Sequence, residues 1–425
     1  MSYILHKQPK IFPIDPGKIQ EPEITTLGNG VPVLYFNAGQ EDIVQIDFSF
    51  DAGETMAEKS LVAGMANVML VEGTQSLNAK ELNDILDYYG IIISPYCTND
   101  KAGITFLCLN KYAKETVELA KDILFNPLYR QEEFDSQINK QRTEFLMSLE
   151  VVGFLAKRNL SASIFGKNHP YGRLTQIEDF DNLSIEDIKA FHKKNYTTDT
   201  MSIFVSGKIN DITKQLIYDH FGDIKRTEKN EIIYMPPFPS KSEKLHIMKA
   251  NALQDAIRIG KRSINIRETD YIGLMVINTI LGGYFGSRLM KNIREEKGFT
   301  YGIGSAIAST QQTGVMIIAS EVNHENTSEA IDEIFKEIGR LSKEPVGTEE
   351  LDTVRNYMLG NIVRKLDGPF ALAVNYKTLW EYGLDNTFNY KLIEKIKNIS
   401  PDEIMSLAQT YYNIDDFTIV TAGEK

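Results

Sequence analysis

The sequence predicts an α+β protein made of two homologous αβ halves, each an antiparallel sheet packed by helices. Three observations carry this. Hairpin signals are followed by pairs of helical stretches, an order that suits antiparallel strands backed by a helical layer. A long segment recurs, since LSIEDIKAFHKKNYTTDTMSIFVSG (183–207) aligns without a gap to ISPDEIMSLAQTYYNIDDFTIVTAG (399–423), an offset of 216 residues. It sets Tyr196 on Tyr412, Asp199 on Asp415 and Gly207 on Gly423. Between the copies, charge combines with Pro236, Pro237 and Pro239 in a stretch suited to a stiff linker. The expected division is an N-terminal domain 1–228, a linker 229–243 and a C-terminal domain 244–425.

Residues 23–50 carry a hairpin signal with Asn29-Gly30 at the turn. SLVAGMANVMLV (60–71) is apolar almost all round, as a helix buried on several faces would be. A helix from Asn78 to Tyr88 stops at Gly90, and strands follow at 91–97 and 103–109. Helices are expected from about 113 to 125 and from about 131 to 155, then a capped helix beginning at Ser184 with Glu186 and Asp187 in its first turn. Strand 201–207 and helix DITKQLIYDHF close the half.

The net charge is −12, from 46 basic and 58 acidic side chains, which argues against a nucleic-acid surface or an anionic membrane. No run approaches the roughly 18 apolar residues of a membrane span. The N-terminus lacks an apolar core of signal-peptide length, and cytoplasmic residence is the expectation. Cys97 and Cys108 sit in a predicted hairpin where they could face each other, and read as small, buried and reduced.

The stretch GSRLMKNIREEKGFTYG (286–302) holds the chemistry. Leu289 and Ile293 recur at helical spacing, Gly298 suits a C-terminal stop, and FTYGIGSAIA alternates as a strand. Arg294 then lies in the last helical turn and Tyr301 on the outgoing strand. A guanidinium and a phenol brought to one corner can grip a polarised carbonyl and donate to an incipient oxyanion. Taken singly, an Arg at a helix end and a Tyr in a strand are ordinary structural residues. In the first copy the matching positions are Leu86 and Ile93, so the pair is specific to the second. Such a pair supplies no nucleophile.

The duplicated unit, AGETMAEKSLVAGMANVMLVEGT, HPYG at 169–172 and LGGYFGSRL followed by Arg294 and Tyr301 together resemble the pitrilysin/insulinase-like family of inverzincin metallopeptidases. The similarity covers nearly the whole chain and is closest to the mitochondrial-processing-peptidase-like branch. It implies two halves that form half of a clam-shell peptide chamber. It also implies a zinc helix with His-x-x-Glu-His, two imidazoles one turn apart plus a general base. That pentad falls here on Gly64, Met65, Ala66, Asn67 and Val68, and the family's later Glu ligand falls on Glu144, with Gln137 at the outer Glu position. One carboxylate does not make a catalytic zinc site, which takes three protein ligands. No metal or other cofactor is expected in this chain.

The resemblance therefore implies the non-zinc subunit of a heteromeric zinc peptidase. A homologous partner would hold zinc, and this chain would contribute Arg294 to a substrate carbonyl and Tyr301 to the oxyanion of a peptide substrate. Alone it is expected to be inactive. The alternative is a catalytically silent scaffold or peptide-binding homologue acting as a homodimer.

Overall fold

The computed structural model describes residue 14, residues 17–227 and residues 242–424. The expected linker falls almost wholly outside the described residues. The first sheet contains β1 (Glu23–Thr26), β2 (Pro32–Asn37), β3 (Ile43–Phe50), β4 (Ile92–Cys97), β5 (Ala102–Leu109) and β6 (Ser202–Gly207), in the order β1-β2-β6-β3-β5-β4. The second contains β7 (Lys244–Met248), β8 (Asp255–Ser263), β9 (Ile303–Ser309), β10 (Gly314–Val322) and β11 (Thr418–Gly423), in the order β7-β11-β8-β10-β9. With β1 set aside, the two orders are the same, as the internal repeat requires.

Neither sheet is purely antiparallel. β6 runs parallel to β2, and β11 parallel to β7, while the other pairs are antiparallel. Each parallel strand returns after a long helical crossover, which is the connection a parallel pair needs. The ladder also separates the cysteines: Cys97 stands opposite Ala102, and Cys108 opposite Val44. Both thiols are free, and burial pushes Cys97 up to about 12.

On the first sheet's inner face lie α1 (Val62–Val68), α2 (Ala79–Tyr89) and α3 (Ala113–Phe125). Asn78 caps α2 in a reciprocal capping box with Glu81, and Gly90 ends it at φ +64°. The expected 131–155 helix is two helices, α4 (Gln131–Leu149) and α5 (Val152–Phe165), broken at Glu150–Val151. No Pro or Gly marks that break. Tertiary packing makes it, because α5 leaves its own half and lies on β8 and β11 of the second sheet. There Ala156, Leu160 and Ile164 pack on Ala256, Val315, Val420 and Ala422. A Cβ on Gly260 would come within 3.0 Å of Leu160 and 2.8 Å of the Met316 carbonyl, so the close approach needs that glycine.

The second half returns the exchange. The helix Gly368–Glu381 packs on β2 and β6 of the first sheet. The period-2 alternation of β2 then has a use for both faces. Val33 and Tyr35 enter the N-terminal core, whereas Leu34 and Phe36 enter the C-terminal one. Lys377 of the crossing helix reaches Asp47 at 2.8 Å and the Tyr96 hydroxyl at 2.6 Å.

Two histidines set the pH range of this packing. His192 is buried against the Leu124 carbonyl at 2.8 Å, and burial holds its pKa down at about 4. His324 places Nδ1 2.5 Å from buried Asp255 and Nε2 2.7 Å from the Ala252 carbonyl. Two acceptors favour the imidazolium, and the bond to Asp255 raises its pKa. The signs are opposite. Stability drawn from neutral His192 is present above its unfolded value near 6.5 and is lost as pH falls toward 4, on the order of 3 kcal/mol in all. Stability drawn from charged His324 is complete below 6.5 and is lost as pH rises past the raised native value. Thermal melts against pH should therefore fall on both sides, with His324→Gln flattening only the alkaline limb. An unchanged alkaline limb in that variant would refute the assignment.

Candidate functional site

The positions of the family's metal pentad lie on α1, and none offers a ligand. Gly64 presents only its backbone N–H, which donates to Glu54 Oε1 at 3.1 Å. Burial raises the Glu54 pKa, against the pull of that bond and of Arg173. Asn67 is fully buried, and its amide donates to the Gly103 carbonyl and to the Tyr196 hydroxyl, each at 3.0 Å. Asn67 is thus a cross-brace between α1, β5 and the helix Ile185–Asn195 that precedes Tyr196. Val68 has no donor atom to give. Glu144 is exposed on α4, and Gln137 is spent on Glu72 at 2.7 Å. Among the described residues no three His, Cys, Asp or Glu side chains are grouped so as to hold a metal ion. The residues present do not fit zinc. His169 of the HPYG turn accepts the Tyr171 N–H through Nδ1 at 3.1 Å and serves the loop.

In the C-terminal half, residues 286–302 form a corner of different geometry from the one expected. Met290–Glu296 is a π-helix, with the Lys297 N–H returning to the Asn292 carbonyl at 3.0 Å. Such widened turns recur at functional sites. Two polar side chains of this stretch are buried anchors. Arg288 makes a fork of two 2.8 Å bonds to Glu350, and Asn292 donates to Glu333 and Glu337, each at 2.8 Å. Gly298 then turns the chain at φ +68°.

Arg294 and Tyr301 are brought together, though through the tyrosine's backbone. Arg294 Nε donates to the Tyr301 carbonyl at 3.1 Å, and its guanidinium lies 4.7 Å from the centre of the Phe285 ring. The Tyr301 side chain is 94% exposed, and Phe285 is 65% exposed. Tyr301 is not on the strand, because β9 begins at Ile303. The ladders give the reason. Ile93 pairs with Phe106 as Ile303 pairs with Ser320, so Ile93 corresponds to Ile303 and not to Tyr301. Ile93 stands three residues after Gly90, whereas Ile303 stands five after Gly298. Tyr301 therefore occupies a short extension that the first copy lacks, and Thr300 pins its base through bonds to the Gly302 and Glu321 carbonyls.

Residues 182–358 match the family described as peptidase M16 inactive domain. Over that stretch the chain is similar to the peptidase M16 inactive-domain family. It is 23% identical to the non-peptidase homolog YmxG of Helicobacter pylori, over 93% of this chain and 92% of that one. It is 21% identical to the uncharacterized zinc protease YmxG of Bacillus subtilis, over 82% of this chain and 84% of that protein. The crystal structure of a peptidase M16 inactive domain from Pseudomonas fluorescens superimposes with a TM-score of 0.83 at 20% identity, over 96% and 99% of the two chains, which establishes the shared fold. No helix among the described residues of this chain is long and apolar enough to cross a membrane.

Asn67 separates packing from chemistry at the former metal position. Asn67→Leu leaves the Gly103 carbonyl without that donor and the Tyr196 hydroxyl buried without its partner, so urea unfolding should show a loss of about 1–3 kcal/mol. A neutral result would mean that the amide is not the brace described.

Proposed function

We propose that this chain is the non-zinc subunit of a heteromeric peptidase, and that a homologous partner closes over the Arg294–Tyr301 corner. The exposure of Tyr301 carries this reading. A hydroxyl donor stabilises a developing oxyanion strongly only in a site from which water is excluded. On this chain alone the phenol stands in solvent, so its chemistry needs a second surface. Arg294 is already preorganised for such a role. Its Nε is bound to the Tyr301 carbonyl and one face of its guanidinium lies on Phe285, while Nη1 stands 4.0 Å from Glu295, so a substrate carbonyl would compete only with that loose ion pair for the terminal N–H groups.

A partner with His-x-x-Glu-His would bring the metal, the attacking water and the general base. This chain would bring the two donors and half of the chamber wall. The silent-scaffold alternative shares the fold and the lost ligands, and differs in assigning the corner no chemistry. Names carried by relatives point both ways, one a zinc protease and one a non-peptidase homologue.

The test is to co-express the chain with a His-x-x-Glu-His homologue from the same genome and to assay peptide cleavage by each chain and by the mixture. Cleavage is expected only from the mixture. Tyr301→Phe should lower its turnover about 10²–10³-fold while leaving the complex assembled on a sizing column. Wild-type turnover by an assembled Tyr301→Phe complex would remove the catalytic role and leave the scaffold reading.

A further inference from the structure

Beside the former metal position the surface is not flat. Two adjoining hollows of about 350 and 280 Å³ share Leu61, Phe154, Arg158, Arg173 and Thr175 as common walls. One side is aromatic: Phe145 lies 5.4 Å from Phe180 and 6.1 Å from Phe154, ring centre to ring centre. The other side is cationic, with Arg158, Arg173 and, in the second hollow, the exposed Lys157.

The arginines of this cleft differ from several others of the chain in how they are held. Arg142, Arg258 and Arg288 are each paired with a carboxylate. Arg158 instead bonds the Thr175 carbonyl and holds its guanidinium 5.3 Å and 5.8 Å from the Phe145 and Phe154 ring centres. Arg173 donates to the Ala57 carbonyl at 2.9 Å. Each is oriented by a neutral acceptor; this leaves the Arg158 charge uncancelled, while Arg173 also feels the Glu54 carboxylate. Burial pulls the Arg158 pKa down, the sign of a cation short of compensation. Two carboxylates also line the cleft. Glu54 is tied back to the Gly64 N–H, and Glu144 stands exposed on α4. Cations outnumber them, in a chain whose net charge is −12.

Rigid guanidinium forks recognise carboxylates through paired N–H···O bonds, and a neighbouring aromatic wall takes apolar side chains. We propose that this cleft is a carboxylate-binding subsite for a peptide, with Arg158 and Arg173 gripping the carboxylate and Phe145, Phe154 and Phe180 receiving the apolar side chain beside it. The carboxylate is either the peptide's C-terminus or an acidic side chain. The subsite belongs to this chain by itself and does not rest on a zinc-bearing partner.

Fluorescence anisotropy on the full chain tests it with three labelled pentapeptides of one core sequence ending in Leu-Phe. The first is the free acid, the second the C-terminal amide, and the third an amide with Glu inserted beside Phe. The free acid or the Glu peptide should bind about tenfold or more tightly than the neutral amide. Preference for the free acid assigns the C-terminal carboxylate, and preference for the Glu peptide assigns the side chain. Arg158→Gln should lose about tenfold of that preference, with Arg158→Lys restoring part of it. A thermal melt checks that each variant is folded, and the comparison of peptides on the unaltered chain needs no variant. Equal affinity for all three peptides, or binding of none at about millimolar concentration, would overturn the proposal. Hydrolysis enters none of these readouts, so they stand or fall apart from the subunit assay.

Discussion

Everything else in this structure depends on the reciprocal placement of two helices. α5 belongs by sequence to the N-terminal half and covers the second sheet, while Gly368–Glu381 belongs to the C-terminal half and covers the first. Each sheet is therefore buried on both faces, once by its own helices and once by its neighbour's. The lock is polar as well as apolar. The Lys377 ammonium is almost withdrawn from water, and an ion so placed must be paired. It finds Asp47 and Tyr96 on the opposite half, and Tyr96 in turn donates to Asp47 at 2.9 Å. The hairpin turns meet as well, with the Gln311 N–H on Asp100 at 3.0 Å and the Tyr171 hydroxyl on the same carboxylate at 2.7 Å. Halves so interlocked hold α1, the cleft and the 286–302 corner in fixed relation. The first turn of α5 links the last two. A Cβ on Gly153 would come within 3.0 Å of Glu321 Oε1, Thr300 bonds the Glu321 carbonyl, and Phe154 is already a wall of the cleft.

Duplication lets each copy serve as a reference for the other. Tyr196 and Tyr412 occupy the same place in the repeat, and both are buried. Tyr196 receives the Asn67 amide, whereas the Tyr412 hydroxyl has no hydrogen-bond partner among the described residues. The amide that braces the first copy sits where the family has its general base. In this chain that position serves packing. In the second copy the departures run the other way: a π-helix and an extension before the strand push Tyr301 out of the core and into solvent. One half has been closed and the other opened.

Much of this was legible in the residues. The repeat at 183–207 and 399–423 follows from identity of spacing, and both segments form a capped helix followed by the strand that runs parallel to a neighbour. Asn29-Gly30, Asn78 with Glu81, and Gly90 acted locally as turn and cap chemistry says they should. What was illegible was decided at long range. Nothing in Glu150–Val151 announces that α5 will cross to the other sheet. The burial of Arg288 and Asn292 depends on Glu350, Glu333 and Glu337, dozens of residues away. The place of Tyr301 was misread because the extension before β9 is visible only through strand register. Arg158 and Arg173 were passed over because they are separated in sequence and lie in no motif, and only the fold turns them into one wall.

The two sites differ in degree of completion, and this bears on what the chain can do alone. The cleft beside α1 has walls, oriented cations and partial burial, so its electrostatics act in a medium less screening than water. The corner has Arg294, Phe285 and Tyr301 set on an open edge, a combination of residue types that dominates binding energy at protein interfaces. An exposed phenol beside an exposed phenylalanine gains nothing by staying in water, and a covering surface would bury the aromatic area and lower the local dielectric in one step. Beside α1 the chain presents guanidinium groups. A guanidinium can hold a carboxylate in place but cannot activate water, which separates holding a peptide from cutting it.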